Sequence, residues 1–171
     1  MKKMFLSLLI VMAGMMTAQA QKFALIDMEF ILKQIPSYEQ ANKQMESLSK
    51  QWQTEVEAKS KEAKTLYEAY QKSASTMTAE QRTAKEEEII LKEREAAELR
   101  QTYFGPQGEA MKKRQELIAP IQDAIYNAVK EIATEKGYDA VIDRASAQSM
   151  IFASPRIDIS NEVLLKLGYS K

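Results

Sequence analysis

The 171-residue sequence contains no cysteine and no histidine. Zinc sites with nitrogen and sulfur ligands, cysteine nucleophiles and serine–histidine triads all need one of these residues, so the sequence excludes them. Glycine is also scarce, with five residues in the whole chain, and none of them lies in a glycine-rich phosphate-binding loop. An enzyme is therefore the weakest function class, and we expect no catalytic residues, no metal and no cofactor.

Long apolar runs are absent after the first twenty residues. At the start of the chain, Lys2 and Lys3 precede an apolar run over residues 4–16 and the sequence Ala18-Gln19-Ala20. A basic start, an apolar stretch too short to span a bilayer and a small-x-small end are typical of a secretory signal peptide. We predict a cleavable signal peptide over residues 1–20, followed by a soluble, exported chain.

The net charge of the chain is close to zero. Without the predicted signal peptide, the chain has 22 basic and 24 acidic residues, a net charge of −2. This balance gives no reason to expect nucleic-acid binding. No later stretch reaches the roughly 20 apolar residues of a membrane helix, and the alternating segments of a membrane barrel are missing too. We therefore expect no integral membrane segment after signal cleavage.

Residues 37–119 are rich in helix-forming residues and contain one narrow apolar stripe. Its mean spacing is about 3.6 residues, with Lys59 as the single polar member. Such a stripe buries too little surface to fold alone, but it suits two helices packed together. We predict that it is the seam of a helical hairpin, with contact to a bound protein as the alternative. Its apolar or small members are Ala41, Met45, Leu48, Trp52, Val56, Ala63, Leu66, Tyr70, Ala74 and Met77.

Local signals predict where this hairpin turns and where it ends. Thr78 and Gln81 fit a capping box, so the second helix should begin at about Ala79. Pro36 and Pro120 lie at equal distances on either side of Thr78. Because proline disfavours an uninterrupted helix, we predict that these two prolines mark the base of the hairpin.

The returning half of the hairpin contains one break, Gly105-Pro106-Gln107-Gly108. Mirroring the chain about the turn places this break beside Trp52, the only tryptophan. We predict that the break kinks the helix and makes room for the indole, and a helix break without a special partner is the alternative. Gly105, Pro106 and Gly108 are therefore the candidate flex point of the arm.

The two ends of the chain are predicted to form one small body. Phe23–Ile26 has the pattern of a short strand, with Ala140–Ile142 or Met150–Phe152 as its partner, and two helices should end at Gly137 and Gly168. A body of roughly 65 residues with unpaired strand edges is marginal alone, so we expect self-association. The apolar residues expected in this oligomerisation body are Phe23, Leu25, Ile26, Val141, Ile142, Ile151 and Phe152.

Several of these features together resemble the Skp/OmpH family of periplasmic chaperones. They are the signal peptide, KFALIDMEFILKQIP, the charged hairpin, RQELIAPIQDAIYNAVKEIATEKGYDAVID and MIFASPRIDISNEVLLKLG. The most specific pieces are the strand-helix opening, residues 137–143 and residues 158–164. The resemblance covers essentially the whole chain after the signal peptide.

The resemblance implies an α+β, mostly α fold and a jellyfish-like homotrimer. A small β-rich body (residues 21–36 and 120–171) would carry three α-helical hairpin arms (residues 37–119) around a cavity. It implies a periplasmic location and an ATP-independent holdase, which binds unfolded outer-membrane and other exported proteins in that cavity and prevents their aggregation. Apolar residues off the stripe are the candidate client contacts, namely Tyr67, Ile90, Tyr103 and Phe104.

This sequence departs from the family pattern in its charge. Better-known members are strongly basic, whereas here the only compact basic run, Lys112-Lys113-Arg114, is offset by three glutamates at 86–88. We therefore carry over no lipopolysaccharide-binding site. The main alternative function is a trimeric helical spacer or scaffold of the cell envelope. Such a protein is expected to keep a heptad seam and a lipid-attachment cysteine, and the sequence has neither.

Overall fold

The computed structural model describes residues 21–147 and 149–169, so the predicted signal peptide lies outside the described residues. Helices dominate, and the only sheet in these ranges has two strands, which confirms the predicted α+β, mostly α class. The elements are β1 (Phe23–Ile26), α1 (Met28–Lys33), α2 (Pro36–Ser73), α3 (Ala79–Phe104), α4 (Glu109–Lys136), β2 (Ala140–Asp143) and α5 (Ser160–Lys166).

The described chain divides into two compact units. The first contains the residues up to Ile31 and those from Asn127 onward, and it holds both strands and α5. The second runs Leu32–Tyr126 and contains the long helices α2 and α3. Across residues 21–147 and 149–169, every helix is too short or too polar to cross a lipid bilayer.

The two strands of the first unit pair in parallel. Phe23 lies opposite Ala140, and the register continues to Ile26 opposite Asp143, which confirms the expected pairing of β1 with this segment. The other edge of β1 is also engaged, because the backbone N–H of Ile159 donates to the carbonyl of Leu25 at 2.8 Å. With both edges bonded, the β1 residues Ala24, Leu25 and Ile26 are all buried.

The strand expected as an alternative partner at Met150–Phe152 does not form. Residues 150–154 have no regular secondary structure, and the side chains of Ile151 and Phe152 are 101% and 84% exposed. A strand requires a neighbouring backbone to hydrogen-bond with, and the second edge of β1 is bonded by Ile159 instead. The prediction was wrong because an apolar pattern cannot by itself supply a partner.

The core of the first unit is formed where its helices meet the strands. Ile31 of α1, Ile132 of α4 and Val163 of α5 are almost completely buried. Helix α4 ends as predicted at Gly137, whose φ of 66° lies in the left-handed region that glycine adopts without strain. The chain therefore turns back sharply enough for β2 to begin at Ala140.

In the second unit, α2 and α3 are joined by a short 3-10 turn, Ala74–Thr76, and a capping box. The backbone N–H of Gln81 donates to the hydroxyl of Thr78 at 3.3 Å, and the backbone N–H of Thr78 donates to the Gln81 side chain at 2.9 Å. This confirms the predicted cap and the start of α3 at Ala79.

The two prolines behave differently from each other. Pro36 is the first residue of α2, where a missing N–H costs no hydrogen bond. Pro120 instead lies inside α4, so the expected interruption of the helix at this proline was wrong, whereas its position at the base of the hairpin stays a prediction. An interior proline costs about 3 kcal/mol, and burial of neighbours such as Ile118 and Ile125 offsets this cost. The break in the returning helix lies at Gly105 instead.

Candidate functional site

The second unit contains a two-helix arm formed by α2 and α3. Cross-contacts run from the turn toward the far end of α3, and the α3 residue number rises as the α2 number falls, so the helices are antiparallel. The contacts that fix this register are Tyr70–Glu86, Lys59–Glu95 and Trp52–Tyr103. The hairpin predicted from the stripe and the capping box is therefore confirmed.

The stripe of α2 is the seam of this arm. None of its members is fully exposed, and Ala41, Val56 and Ala63 are buried. From the other helix, Ile89 and Ala96 are buried as well. The stripe therefore packs within the arm, as predicted, with its members buried or half-buried between the two helices.

Lys59, the polar member of the stripe, has a specific partner across the seam. Its Nζ lies 3.9 Å from Oε2 of Glu95, and Nζ of Lys92 lies 2.9 Å from the same oxygen. The hydrogen bond from Lys92 lowers the pKa of Glu95, and the same bond raises the pKa of Lys92. Two cations thus share one carboxylate at mid-arm, which favours a single register of the two helices.

An aromatic cluster closes the seam at the end of α3. The rings of Trp52 and Tyr103 are stacked with centroids 5.3 Å apart, and Phe104 meets Trp52 edge-on at 6.4 Å. The Tyr103 hydroxyl donates to the Glu55 carboxylate, which lowers the pKa of Glu55 and raises the pKa of Tyr103. Tyr103, expected as a client contact, is therefore engaged inside the arm, whereas Phe104 remains 44% exposed.

The two glycines of the break allow the chain to pass close to the backbone at the end of α3. A Cβ at Gly105 would lie 2.4 Å from the carbonyl oxygen of Gln101, and a Cβ at Gly108 would lie 2.7 Å from that of Tyr103. The chain therefore passes too close to α3 for any side chain at these positions. The prediction that the break lies near Trp52 is confirmed, because Tyr103 and Phe104, just before the break, contact the Trp52 ring. The space beside the glycines, however, is occupied by the backbone of α3 and not by the indole. Flexing of the arm at Gly105, Pro106 and Gly108 stays a prediction.

Several large apolar side chains of the second unit remain exposed. Tyr67 and Ile90 are among the predicted client contacts, whereas Leu91, Met111 and Tyr126 were not predicted. The run Ile89-Ile90-Leu91 predicts some exposed apolar surface, because three consecutive helical residues cannot all face one seam. The exposed set is Tyr67, Ile90, Leu91, Phe104 and Met111, each between 44% and 55% exposed, and Tyr126, which is 65% exposed.

The apolar residues expected in the oligomerisation body fall into two groups. Leu25 and Ile26 are buried within the first unit, and Val141 is half-buried. The other four keep much of their surface exposed within the single chain. They are Phe23, Ile142, Ile151 and Phe152.

The aspartates of the first unit act as structural caps. Asp27 follows β1 and Asp143 is the last residue of β2, so in this parallel pair both lie at the same edge of the sheet. Arg144 binds Asp27 at 3.0 Å and Asp158 at 3.5 Å, and Asp143 accepts the backbone N–H of Met28 at 3.1 Å. In the part of the chain that the structure describes, no three acidic side chains are grouped to hold a metal ion.

Comparison with known proteins gives consistent results. The family model described as outer membrane protein (OmpH-like) matches residues 22–167. The chain is 32% identical over 160 residues to the chaperone protein Skp of Yersinia enterocolitica, covering 92% of this chain and 93% of that protein. It is 30% identical over 146 residues to the chaperone protein Skp of Photorhabdus laumondii, covering 85% and 84%.

A solved structure shares the fold. An OmpH-like protein from Caulobacter crescentus superposes with a TM-score of 0.65 over 86% of this chain and 84% of that chain, at 11% sequence identity. The family match spans most of the chain, and the relatives cover it nearly from end to end. The protein therefore belongs to the OmpH-like family, as its sequence predicted.

Proposed function

We propose that the protein is an ATP-independent holdase chaperone of the periplasm, which binds unfolded outer-membrane and other exported proteins and keeps them from aggregating. The observation that carries this proposal is the division of apolar residues on the arm. The seam residues are buried or half-buried, whereas Tyr67, Ile90, Leu91 and Phe104 of α2 and α3 stay exposed among charged neighbours. The relatives named as chaperones support the same class, without catalysis.

Dispersed apolar contacts suit an unfolded client. Segments of outer-membrane barrels alternate apolar and polar residues, so each segment offers only a few apolar side chains. Each partly exposed residue of the arm contributes a small free energy, at about 25 cal/mol for each Å² of apolar surface removed from water. Many such contacts hold a client in total, while each single contact breaks easily and allows release.

The oligomeric state is part of the proposal. We propose a homotrimer in which residues 21–36 and 120–171 form the shared body and residues 37–119 form three arms around a cavity. The four exposed apolar residues of the first unit, at positions 23, 142, 151 and 152, are the surface that neighbouring copies would cover. Full burial of one such side chain contributes about 1.5–3 kcal/mol. Export through cleavage of residues 1–20 would place this trimer in the periplasm.

The test is an aggregation assay with the purified chain after the signal peptide. A urea-denatured outer-membrane barrel protein is diluted into buffer with and without it, and turbidity is followed beside the mass of any complex. We expect suppressed turbidity and a complex of three chains with one client. An intact trimer that leaves aggregation unchanged would contradict the holdase function and favour the scaffold.

Arm variants link the assay to the exposed residues. The double substitution Ile90→Ser with Leu91→Ser should weaken suppression, because it removes exposed apolar surface and leaves the seam intact. The matched control is Glu87→Ser with Arg94→Ser, which changes two exposed polar residues of the same helix and leaves the net charge unchanged. Equal suppression by both double variants would show that these apolar residues do not bind clients.

A further inference from the structure

Two cavities lie in a line between α2 and α3 of the arm. The first has a volume of about 380 Å³ and is lined by residues that include Ala63, Tyr67, Ala96 and Arg100. The second has a volume of about 350 Å³ and is lined by Val56, Phe104 and, again, Arg100. Because both cavities are lined by Arg100, they are neighbours along the same pair of helices, and we name the two together the arm groove.

The arm groove has an apolar floor and an aromatic side chain at each end. Val56, Ala63 and Ala96 are buried, and the two alanines are small enough to leave space between the helices. Tyr67 and Phe104 stand at opposite ends of the groove and are 47% and 44% exposed. Exposed aromatic rings beside a depression offer more contact area than the same rings on a convex surface.

Arg100 is an unpaired cation where the two cavities meet. Among the described residues its side chain makes no hydrogen bond and no ion pair. The other basic residue of the groove, Lys64, has Glu68 within 3.9 Å, and Glu57 accepts a hydrogen bond from Gln53 at 2.9 Å. Glu93 lines the far end of the first cavity, seven residues or roughly 10 Å of helix from Arg100. The groove is thus lined by two basic and two acidic side chains, and Arg100 is the one cation among them whose side chain is available to pair with an acidic group.

The length of the groove matches a short extended peptide. Its lining residues extend from position 53 to 67 on α2 and from 93 to 104 on α3, which corresponds to roughly 16–21 Å at the helical rise. Five residues in an extended conformation span about 13.5 Å between their first and last Cα atoms, with side chains 1, 3 and 5 on the same face. The outer two would extend toward the aromatic ends, and the central one would lie within reach of the long Arg100 side chain.

We propose that the arm groove binds an extended segment of an unfolded protein in which two apolar side chains, four residues apart, flank an acidic side chain that pairs with Arg100. The proposal rests on the proposed holdase function and adds a sequence preference to it. The groove would select segments with alternating side chains, because only an extended backbone presents side chains 1, 3 and 5 to one surface. The charge of Arg100 would select the acidic member among them.

Trp52 provides a built-in probe for the test. It is the only tryptophan, and its ring contacts Phe104, which lines the second cavity. A capped, tryptophan-free peptide with the core Phe-Thr-Glu-Thr-Phe should therefore change Trp52 emission when it binds the full mature chain. Replacing the central Glu with Gln should raise the dissociation constant roughly two- to fivefold, the range of an exposed ion pair. A central Lys should raise it further.

Reversing the charge of Arg100 tests whether the peptide pairs with this residue or responds only to the overall charge of the arm. Arg100→Glu should invert the order, so that the Lys peptide binds more tightly than the Glu peptide. The matched control is Arg94→Glu, which makes the same charge change at an exposed position of α3 outside the groove. It should keep the order of the unmodified protein. Circular dichroism confirms that each variant is folded.

Three outcomes would overturn the proposal: no peptide binding, an unchanged peptide order in Arg100→Glu, or the same inversion in Arg94→Glu. The aggregation assay with the unmodified protein is run in parallel. Suppressed aggregation together with any of these outcomes would reject the groove and keep the holdase function. Peptide binding in the expected order without suppression would keep the groove and reject the holdase function.

Discussion

Two neighbouring isoleucines of α3 allow a direct test of how the arm is packed. Ile89 is 6% exposed and faces the seam, whereas Ile90 is 55% exposed. Both are replaced by alanine in separate variants. The two substitutions remove the same atoms from the same helix, so they differ only in the surroundings of the side chain.

The expected magnitudes follow from these exposures. Each substitution deletes three carbon groups, worth about 0.8 kcal/mol each when fully buried, and alanine regains about 0.4 kcal/mol of helix propensity. For Ile89, nearly full burial and the cavity left behind give a loss of about 2–4 kcal/mol in the free energy of unfolding. For Ile90, the remaining loss is about 0.7 kcal/mol.

Urea unfolding at one fixed protein concentration measures this difference. Trp52 emission reports the second unit, and circular dichroism at 222 nm reports total helix. With a urea dependence of about 2 kcal/mol/M, the midpoints of the two variants should differ by about 1 M. A fixed concentration is needed because self-association makes stability concentration-dependent.

Two results would refute this description of the seam. Equal midpoints for both variants would mean that neither isoleucine packs against α2. A larger loss for Ile90→Ala would mean that α3 is rotated by one residue, or about 100°, relative to the register set by the cross-contacts.

Three further predictions concern individual contacts. Thr78→Ala should lower the free energy of unfolding by about 0.5–2 kcal/mol through loss of the capping box, whereas Ser75→Ala in the adjacent turn should stay within about 0.5 kcal/mol; equal urea midpoints would reject the cap. Gly137→Ala should cost about 1–2 kcal/mol, because alanine is strained at a φ of 66°, and an unchanged melting curve would contradict this. Tyr103→Phe removes the hydrogen bond to Glu55. This bond lowers the pKa of Glu55 below 4.5 and raises the pKa of Tyr103 above 10.0. The bond should therefore stabilise the arm above about pH 4.5 and below about pH 10. The midpoint difference between Tyr103→Phe and the unmodified protein should therefore shrink in acid and in strong alkali, and a constant difference would refute it.

Local patterns could be predicted from the sequence where few neighbours decide the outcome. The Thr78 cap depends on hydrogen bonds within four residues, and the turn at Gly137 depends on one backbone conformation. The α2 stripe could be predicted because helical periodicity places its members on one side of the helix, independently of the helix that packs against it. These features fixed the hairpin and the mostly α class.

Features that depend on distant partners were not predictable in the same way. Pro120 lies within a helix because surrounding burial compensates for the lost hydrogen bond. The Met150–Phe152 strand failed because the open edge of β1 is bonded by Ile159. In both positions tertiary contacts override the local preference.

The candidate site shows the same division. Exposure of Tyr67, Ile90 and Phe104 followed from their positions off the α2 stripe. The stacking of Tyr103 on Trp52 depends on the register of two helices, and so does the shared position of Arg100 between two cavities. Neither contact is encoded in one helix alone.

The parallel pairing of β1 with β2 has a consequence for how the chain assembles. Lys22 and Asp139, which are bonded at the start of this sheet, lie 117 residues apart, whereas the contacts of the hairpin close over much shorter loops. During synthesis β1 precedes the arm and β2 follows it, so the two arm helices can pack together while both edges of β1 are still unpaired. Such long-range pairing is slow and prone to aggregation. During its own biogenesis the protein thus passes through the same vulnerable state, an unpaired apolar strand, from which we propose it shields others.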